Sequence, residues 1–140
     1  MKKILLLLLL FAVGFWIFSS LPDVSFLKTN NPKTTDFMKL YHGPAPLQYD
    51  WVSYSAISPY LKLAIVIAED GNFFGHHGID WRALWEAMRK NWEEKEWIWG
   101  GSTITQQLAK NLFLSPSKNP IRKIKEAMLA WKLESTLSKQ

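Results

Sequence analysis

The sequence predicts a mainly α-helical protein that begins with one apolar helix long enough to cross a membrane. Residues 4–22 carry no charge, and about 20 apolar residues span a bilayer. From residue 58 onwards, apolar side chains recur at helical spacing behind capping residues, and no stretch alternates as a half-buried strand would. The 140 residues thus accommodate one anchor and one domain of ordinary size.

Residues 1–21 are predicted to be a transmembrane signal-anchor. The alternative is a cleaved signal peptide, which usually has a shorter apolar region and ends in a small-x-small site. Residues 16–22, WIFSSLP, contain no Ala-x-Ala site. Lys2 and Lys3 then stay in the cytoplasm by the positive-inside rule, and the rest of the chain lies on the far side.

The composition favours an anionic partner at a membrane surface. The formal net charge is +5, and the chain has 8 tryptophans and no cysteine. Positive charge suits anionic lipid head groups or a phosphate-bearing substrate, and it would also suit nucleic acid. Because the anchor places the domain outside the cytoplasm, we expect no nucleic-acid partner.

Residues 22–50 are predicted to be a juxtamembrane linker, and residues 51–140 to be the domain. Four of the 7 prolines lie between residues 22 and 46, and proline interrupts regular structure. Ser58 as a cap and Pro59 at the first helical position then predict a helix over residues 59–69.

A second helix is predicted to start after Asp80. It carries an apolar stripe at i, i+4, i+7 and i+11, formed by Trp81, Trp85, Met88 and Trp92. A core face and a membrane-interface surface explain this stripe equally well, because indole rings also favour the head-group zone.

Two more helices follow. The third is capped by Ser102 or Thr103, ends before residues 115–117, and has an apolar face of Ile104, Leu108 and Leu112. The last starts at Pro120 and is predicted to be buried nearly all round, with one face formed by Ile121, Ile124, Met128 and Trp131.

The first candidate for chemistry is Glu69, which ends an apolar helix where a carboxylate suits proton transfer. The tight turn that follows would hold it against a cleft through Phe73, His76 and Gly78. An acid that merely faces solvent is the plainer alternative. A metal site made of Glu69, Asp70, His76 and His77 matches no zinc spacing. His76 is better explained as a hydrogen-bonding support of the turn.

The second and third candidates are a glycine pair before a helix and a cationic helix. Gly100 and Gly101 allow close backbone approach, and the helix start behind them presents N–H donors that suit a phosphate. Arg122 and Glu126 stand four apart, which a surface ion pair would explain. An apolar run follows them, however, so Glu126 needs a partner or a purpose inside the protein.

Taken together, these stretches resemble the glycosyltransferase family 51 domain, the peptidoglycan transglycosylase module, and among its members the monofunctional biosynthetic transglycosylases. The first motif is matched by Glu69, Asp70, Phe73, His76 and Gly78. The second is matched by Gly100, Gly101, Ser102, Thr103, Ile104, Thr105, Gln106, Gln107, Lys110 and Asn111. The third is matched by Arg122, Lys123 and Glu126.

The resemblance implies a lysozyme-like helical head with a small membrane-associated jaw, and a peptidoglycan glycosyltransferase that polymerises lipid II into β-1,4-linked glycan strands. Glu69 and Glu126 are then the catalytic pair: Glu69 is the general base, and Glu126 assists the departure of undecaprenyl pyrophosphate. The implied substrate-binding residues are Asp70, Phe73, His76, Gly100, Gly101, Ser102, Thr103, Thr105, Gln106, Gln107, Lys110, Asn111, Lys118, Arg122 and Lys123. Many members carry arginine where this chain has Lys118, so a bidentate phosphate contact is lost there.

The same resemblance also implies the cofactor requirement, the partners and the cellular location. No cofactor is obligatory, although a magnesium or manganese ion against the pyrophosphate is compatible with the chemistry. The implied partners are lipid II, the growing glycan chain, membrane lipid and the cell-wall synthesis machinery. The location is the bacterial inner (cytoplasmic) membrane, with the domain on the periplasmic side.

Family domains continue beyond the position of Ser138 and Lys139, so we expect this domain to be incomplete at its C-terminus and its activity to be doubtful. Two alternatives stay open. Paired carboxylates could also serve a lysozyme-like glycan hydrolase, and a truncated chain could be a non-catalytic, membrane-anchored binder of wall precursors.

Overall fold

The computed structural model describes residues 2–117 and 119–139, and the regular secondary structure within them is all helical, without a strand. The five α-helices are α1 (Lys2–Ser19), α2 (Pro59–Glu69), α3 (Trp81–Glu94), α4 (Ile104–Phe113) and α5 (Pro120–Thr136). Short 3-10 turns lie at Ser25–Lys28, Met38–Leu40, Tyr54–Ala56 and Phe73–Gly75. The predicted fold class, mainly α with an apolar N-terminal helix, is confirmed.

Local capping explains where the helices start. Asp80 accepts a hydrogen bond from the Ala83 N–H at 2.9 Å and so caps α3. Thr103, rather than Ser102, caps α4 through a capping box. Ser58 makes no capping hydrogen bond, so the start of α2 depends on the proline at its first position.

The core lies where α4 and α5 pack against the segment that follows α1. Its buried apolar side chains are Leu21, Val24, Ala109, Leu129 and Leu133. Farther along, the Asp36 N–H donates to the Leu112 carbonyl at 3.3 Å and fixes the chain to the end of α4. Residues 22–50 therefore contact the helical domain at both points, while their division from it at residue 51 stays a prediction.

The buried faces of α4 and α5 differ from the predicted ones. Ile121, Ile124 and Trp131 are each more than half exposed, so the expectation that α5 is buried nearly all round was wrong. The buried side of α5 carries Glu126, Leu129, Ala130 and Leu133, and that of α4 carries Thr105, Gln106, Ala109 and Leu112. The reason is that small residues and hydrogen-bonded polar residues occupy the helix contact, which an apolar pattern does not reveal.

The tryptophan stripe of α3 is exposed, with Trp81, Trp85 and Trp92 all open to solvent. The interpretation of the stripe as an ordinary core face is therefore wrong. Its buried positions are instead Ala87 and Asn91.

Among the described residues, α1 is the one helix long and apolar enough to cross a membrane, with 18 residues and a mean hydropathy of 2.0. At 1.5 Å per residue it is about 27 Å long, close to the thickness of a hydrocarbon core. Its end touches α5, where the rings of Phe18 and Trp131 lie 6.4 Å apart between centroids. Lys132 also donates to the Pro22 carbonyl at 2.8 Å.

Candidate active site

A cleft of about 410 Å³ opens between the end of α2, the start of α3 and the loop before α4. It is lined by residues 67–72, by Asp80, Arg82, Ala83 and Glu86, and by residues 100–103. The fold thus brings the Glu69 end of α2 and the glycine-serine loop to one cavity, although they are some 30 positions apart in sequence.

Glu69 is the last residue of α2 and its side chain is exposed at this cleft. Its Oε2 accepts a hydrogen bond from Gln107 Nε2 at 2.8 Å. The amide orients the carboxylate without removing it from solvent, and an oriented, accessible carboxylate is able to accept a proton from a bound hydroxyl.

Asp70 points the other way, into the protein. Its buried carboxylate accepts from His76 Nε2 at 2.9 Å and from the Ile104 N–H at 3.0 Å. The role of His76 as a hydrogen-bonding support of the turn is thereby confirmed. Because Asp70 follows Glu69 directly, its two bonds fix the end of α2 to both the turn and α4.

The turn after α2 is held against α4 and α5 by backbone contacts. Gly78 has a φ of 86°, and a Cβ there would lie 3.1 Å from the Ala130 carbonyl group. Its own carbonyl accepts from Thr103 Oγ1 at 2.6 Å. Glycine is therefore required for both its conformation and its proximity to α5. Phe73 packs edge-on against Phe74, with centroids 5.1 Å apart.

The start of α4 is closed by its own side chains. Gln106 Oε1 accepts from the Thr103 N–H and Thr103 Oγ1 accepts from the Gln106 N–H, each at 3.1 Å. The Ile104 N–H is already bonded to Asp70. The N–H groups of Thr103, Ile104 and Gln106 are therefore bonded to side chains of the protein, so the expectation of free donors for a phosphate was wrong for these three.

Several predicted substrate contacts direct their polar side-chain atoms to partners within the protein. Thr105 Oγ1 donates to Glu134 at 2.5 Å. Gly101 passes so close to α3 that a Cβ would lie 2.7 Å from the Leu84 Cα, whereas Gly100 has open space. The predicted substrate contacts whose side chains are buried and hydrogen-bonded within the protein are Asp70, His76 through its Nε2, Thr103, Thr105 and Gln106.

A cationic cluster stands beside the same loop. Glu126 is only 2% exposed and forms ion pairs with Arg122 and Lys123. The Lys123 ammonium also donates to Ser102 Oγ at 2.8 Å. The buried carboxylate thus has the partners that it was expected to need: it pairs with two cations, and one of them, Lys123, contacts a residue of the cleft lining.

The remaining predicted residues lie apart from the cleft lining. The Lys110 ammonium is 5.5 Å from the ring centroid of Phe37, and the exposed Asn111 accepts a backbone bond from Phe37 at 3.4 Å. Lys118 lies outside the described residues.

Sequence reasoning missed three cleft residues, Asn72, Arg82 and Glu86. Asn72 Nδ2 donates to Asp80 Oδ2 at 2.8 Å. The backbone N–H of Ala83, followed by this amide, lowers the pKa of the Asp80 carboxyl below its ordinary value. The sequence signal that could have identified Arg82 and Glu86 was their i, i+4 spacing directly after the helix cap Asp80.

In residues 2–117 and 119–139 no group of three or more His, Asp or Glu side chains is placed to hold a metal ion.

Comparison with known proteins supplies the context for this geometry. The profile of the transglycosylase family matches residues 37–140. The chain is 41% identical over 144 residues to the biosynthetic peptidoglycan transglycosylase of Methylobacillus flagellatus, covering 98% of this chain and 62% of the relative. The proteins of the same name from Laribacter hongkongensis and Acinetobacter baylyi are 43% and 42% identical, covering 96% and 100% of this chain and 61% and 65% of their own length. The chain thus spans about three fifths of these curated relatives.

Proposed function

The chain belongs to the transglycosylase family, and on that premise we propose that it acts as a peptidoglycan glycosyltransferase, polymerising lipid II into β-1,4-linked glycan strands for cell-wall synthesis. One observation carries the proposal. Glu69 and Ser102 line the same cleft, and Ser102 accepts a hydrogen bond from a lysine of the Glu126 cluster. A base and a cation for a pyrophosphate therefore border one cavity.

In the proposed reaction, Glu69 takes the proton from the 4-hydroxyl of the acceptor N-acetylglucosamine. The hydroxyl oxygen forms a bond to the anomeric carbon of the donor, and the bond from that carbon to the pyrophosphate oxygen breaks. The leaving undecaprenyl pyrophosphate keeps the electron pair, and the anomeric centre is inverted. Gln107 supports this step by holding one carboxylate oxygen of Glu69.

The negative charge that develops on the leaving group needs cationic partners. Lys123 is 45% exposed and stands at Ser102, so it is able to donate to a phosphate oxygen there. Glu126 is buried beneath it and assists by keeping Arg122 and Lys123 oriented. A magnesium or manganese ion, if one takes part, would add charge at the pyrophosphate oxygens.

The proposal also places the protein at a membrane. We assign α1 as an anchor in the bacterial cytoplasmic membrane, with the domain on the outer side, because α1 has the length and hydropathy of a span. The exposed tryptophans of α3 support contact with membrane lipid, since indole rings favour the head-group zone. Both the lipid-linked substrate and the cell-wall synthesis machinery would meet the enzyme at that surface.

The test is polymerisation of labelled lipid II in liposomes by the 140-residue chain. The proposed function predicts glycan strands from the unaltered protein and none from Glu69→Gln. It predicts full activity for Glu93→Gln, which changes an exposed acid paired with Arg89. Release of fragments from isolated wall glycan without use of lipid II would favour the hydrolase. Binding of lipid II without product, unchanged by Glu69→Gln, would favour the non-catalytic binder.

A further inference from the structure

Lys139 reaches back from the C-terminal side of α5 to the turn that follows α2. Its ammonium donates to the Phe73 carbonyl and, at 2.7 Å, to the His76 carbonyl. It also pairs with Glu134 at 3.2 Å and lies 4.4 Å from the centroid of the Phe73 ring. One side chain thus fastens both ends of the turn to α5.

The contacts of Lys139 distinguish it from a ligand-binding cation. A lysine ammonium has three N–H donors, and two carbonyls and one carboxylate of the protein surround this one. Its side chain is 17% exposed, compared with 45% for Lys123. A phosphate would have to displace bonds already made at Lys139, whereas the more exposed Lys123, bonded to Glu126 and Ser102, keeps one N–H donor for a ligand.

The turn held by Lys139 leads to the proposed base through a short series of contacts. The turn carries His76, whose Nε2 bonds to Asp70, and Asp70 is the neighbour of Glu69. On the other side, Glu134 also accepts from Thr105 in α4. The Lys139 ammonium therefore ties the end of α2 to both α4 and α5.

We propose that Lys139 is a positioning residue for Glu69, acting through the carbonyls of the turn and the His76–Asp70 bond rather than by touching substrate. This inference rests on the proposed function. If the ammonium is removed, the two carbonyls lose their donor, the turn loosens, and Glu69 is held less closely against Gln107. Misplacement of a reacting group by about 1 Å lowers a rate by roughly 100-fold.

The experiment compares Lys139→Met, which keeps the stem and removes the charge, with Lys139→Arg and with Lys33→Met, an exposed lysine of the juxtamembrane segment. In lipid II polymerisation we expect Lys139→Met to lower kcat by roughly 10- to 100-fold with KM changed less than about threefold. Lys139→Arg should recover part of kcat, because a guanidinium also donates to carbonyls. Lys33→Met should leave both constants unchanged.

A second measurement separates this inference from the proposed function. Amide hydrogen exchange of the peptide spanning residues 72–78 should speed up at least about tenfold in Lys139→Met and stay unchanged in Lys33→Met. This holds whether or not the chain polymerises lipid II, so an inactive parent protein removes the function and leaves the turn contact testable. If Lys139→Met does not fold, Glu134→Gln is the second variant. It removes the charge that pairs with the Lys139 ammonium and should raise the amide exchange rate of the same peptide.

Two results would overturn the proposal. One is unchanged exchange in the turn together with unchanged kcat. The other is a large rise in KM for lipid II at constant kcat, which would make Lys139 a substrate contact.

Discussion

Removing the buried charge of Glu126 tests whether the cationic cluster is held as the structure indicates. Glu126 is 2% exposed and pairs with Arg122, 17% exposed, and Lys123, 45% exposed. Breaking a buried ion pair costs about 3–5 kcal/mol. Lys123 can be rehydrated, however, and the amide of Glu126→Gln keeps one acceptor oxygen, so we expect a loss of about 2 kcal/mol in the free energy of unfolding.

Urea unfolding of the chain in detergent measures this loss, and Glu93→Gln is the matched control. Glu93 pairs with Arg89 at 3.2 Å, but both side chains are more than half exposed. An exposed pair of this kind contributes about 0–0.5 kcal/mol. A domain is stable by only about 5–15 kcal/mol, so the two variants should be clearly separated.

Two further measurements on Glu126→Gln are its stability at high ionic strength and its activity. Added salt screens exposed charges far more than buried ones, so the Glu126→Gln loss should persist at high ionic strength. In lipid II polymerisation this variant should lower kcat/KM, because Lys123 is no longer held beside Ser102. Equal losses of stability for Glu126→Gln and Glu93→Gln, or a loss that disappears in salt, would refute the assignment of a buried, cation-holding carboxylate.

Three further predictions address the turn, the α3 cap and the membrane face. Gly78→Ala should lower the free energy of unfolding by about 1–3 kcal/mol, since a Cβ would crowd Ala130 at positive φ, whereas Gly71→Ala, with open space, should not. Because the folded pKa of Asp80 is lowered, its stabilising effect is present above the unfolded value of about 3.9 and is lost as the pH falls through the folded value. Asp80→Asn should therefore flatten the acid side of the Tm profile, and an unchanged profile would count against the pKa shift. Trp92→Phe should reduce tryptophan quenching by brominated lipids in proteoliposomes if α3 lies at the interface; equal quenching would argue against that position.

The sequence alone determined the helical fold class and where the helices begin. A cap acts through bonds to residues two or three positions away, so Asp80 was identified, and the cap of α4 was limited to Ser102 or Thr103, without knowledge of the rest of the structure. The order and spacing of three motifs likewise identified the family, because that pattern lies in the chain itself. The apolar length of α1 was equally a property of composition.

The tertiary structure decided which motif residues bond to partners within the protein and which keep their side chains open to the cleft. Asp70 meets Ile104, and Lys139 meets Phe73, across separations of 34 and 66 residues. No local pattern encodes such a partner, because each contact depends on how α4 and α5 pack. For the same reason the pattern of α5 could not reveal that Leu129 is buried while Trp131 is exposed. The helix α5 carries apolar residues on more than one side, and the segments that pack against it determine which side is buried.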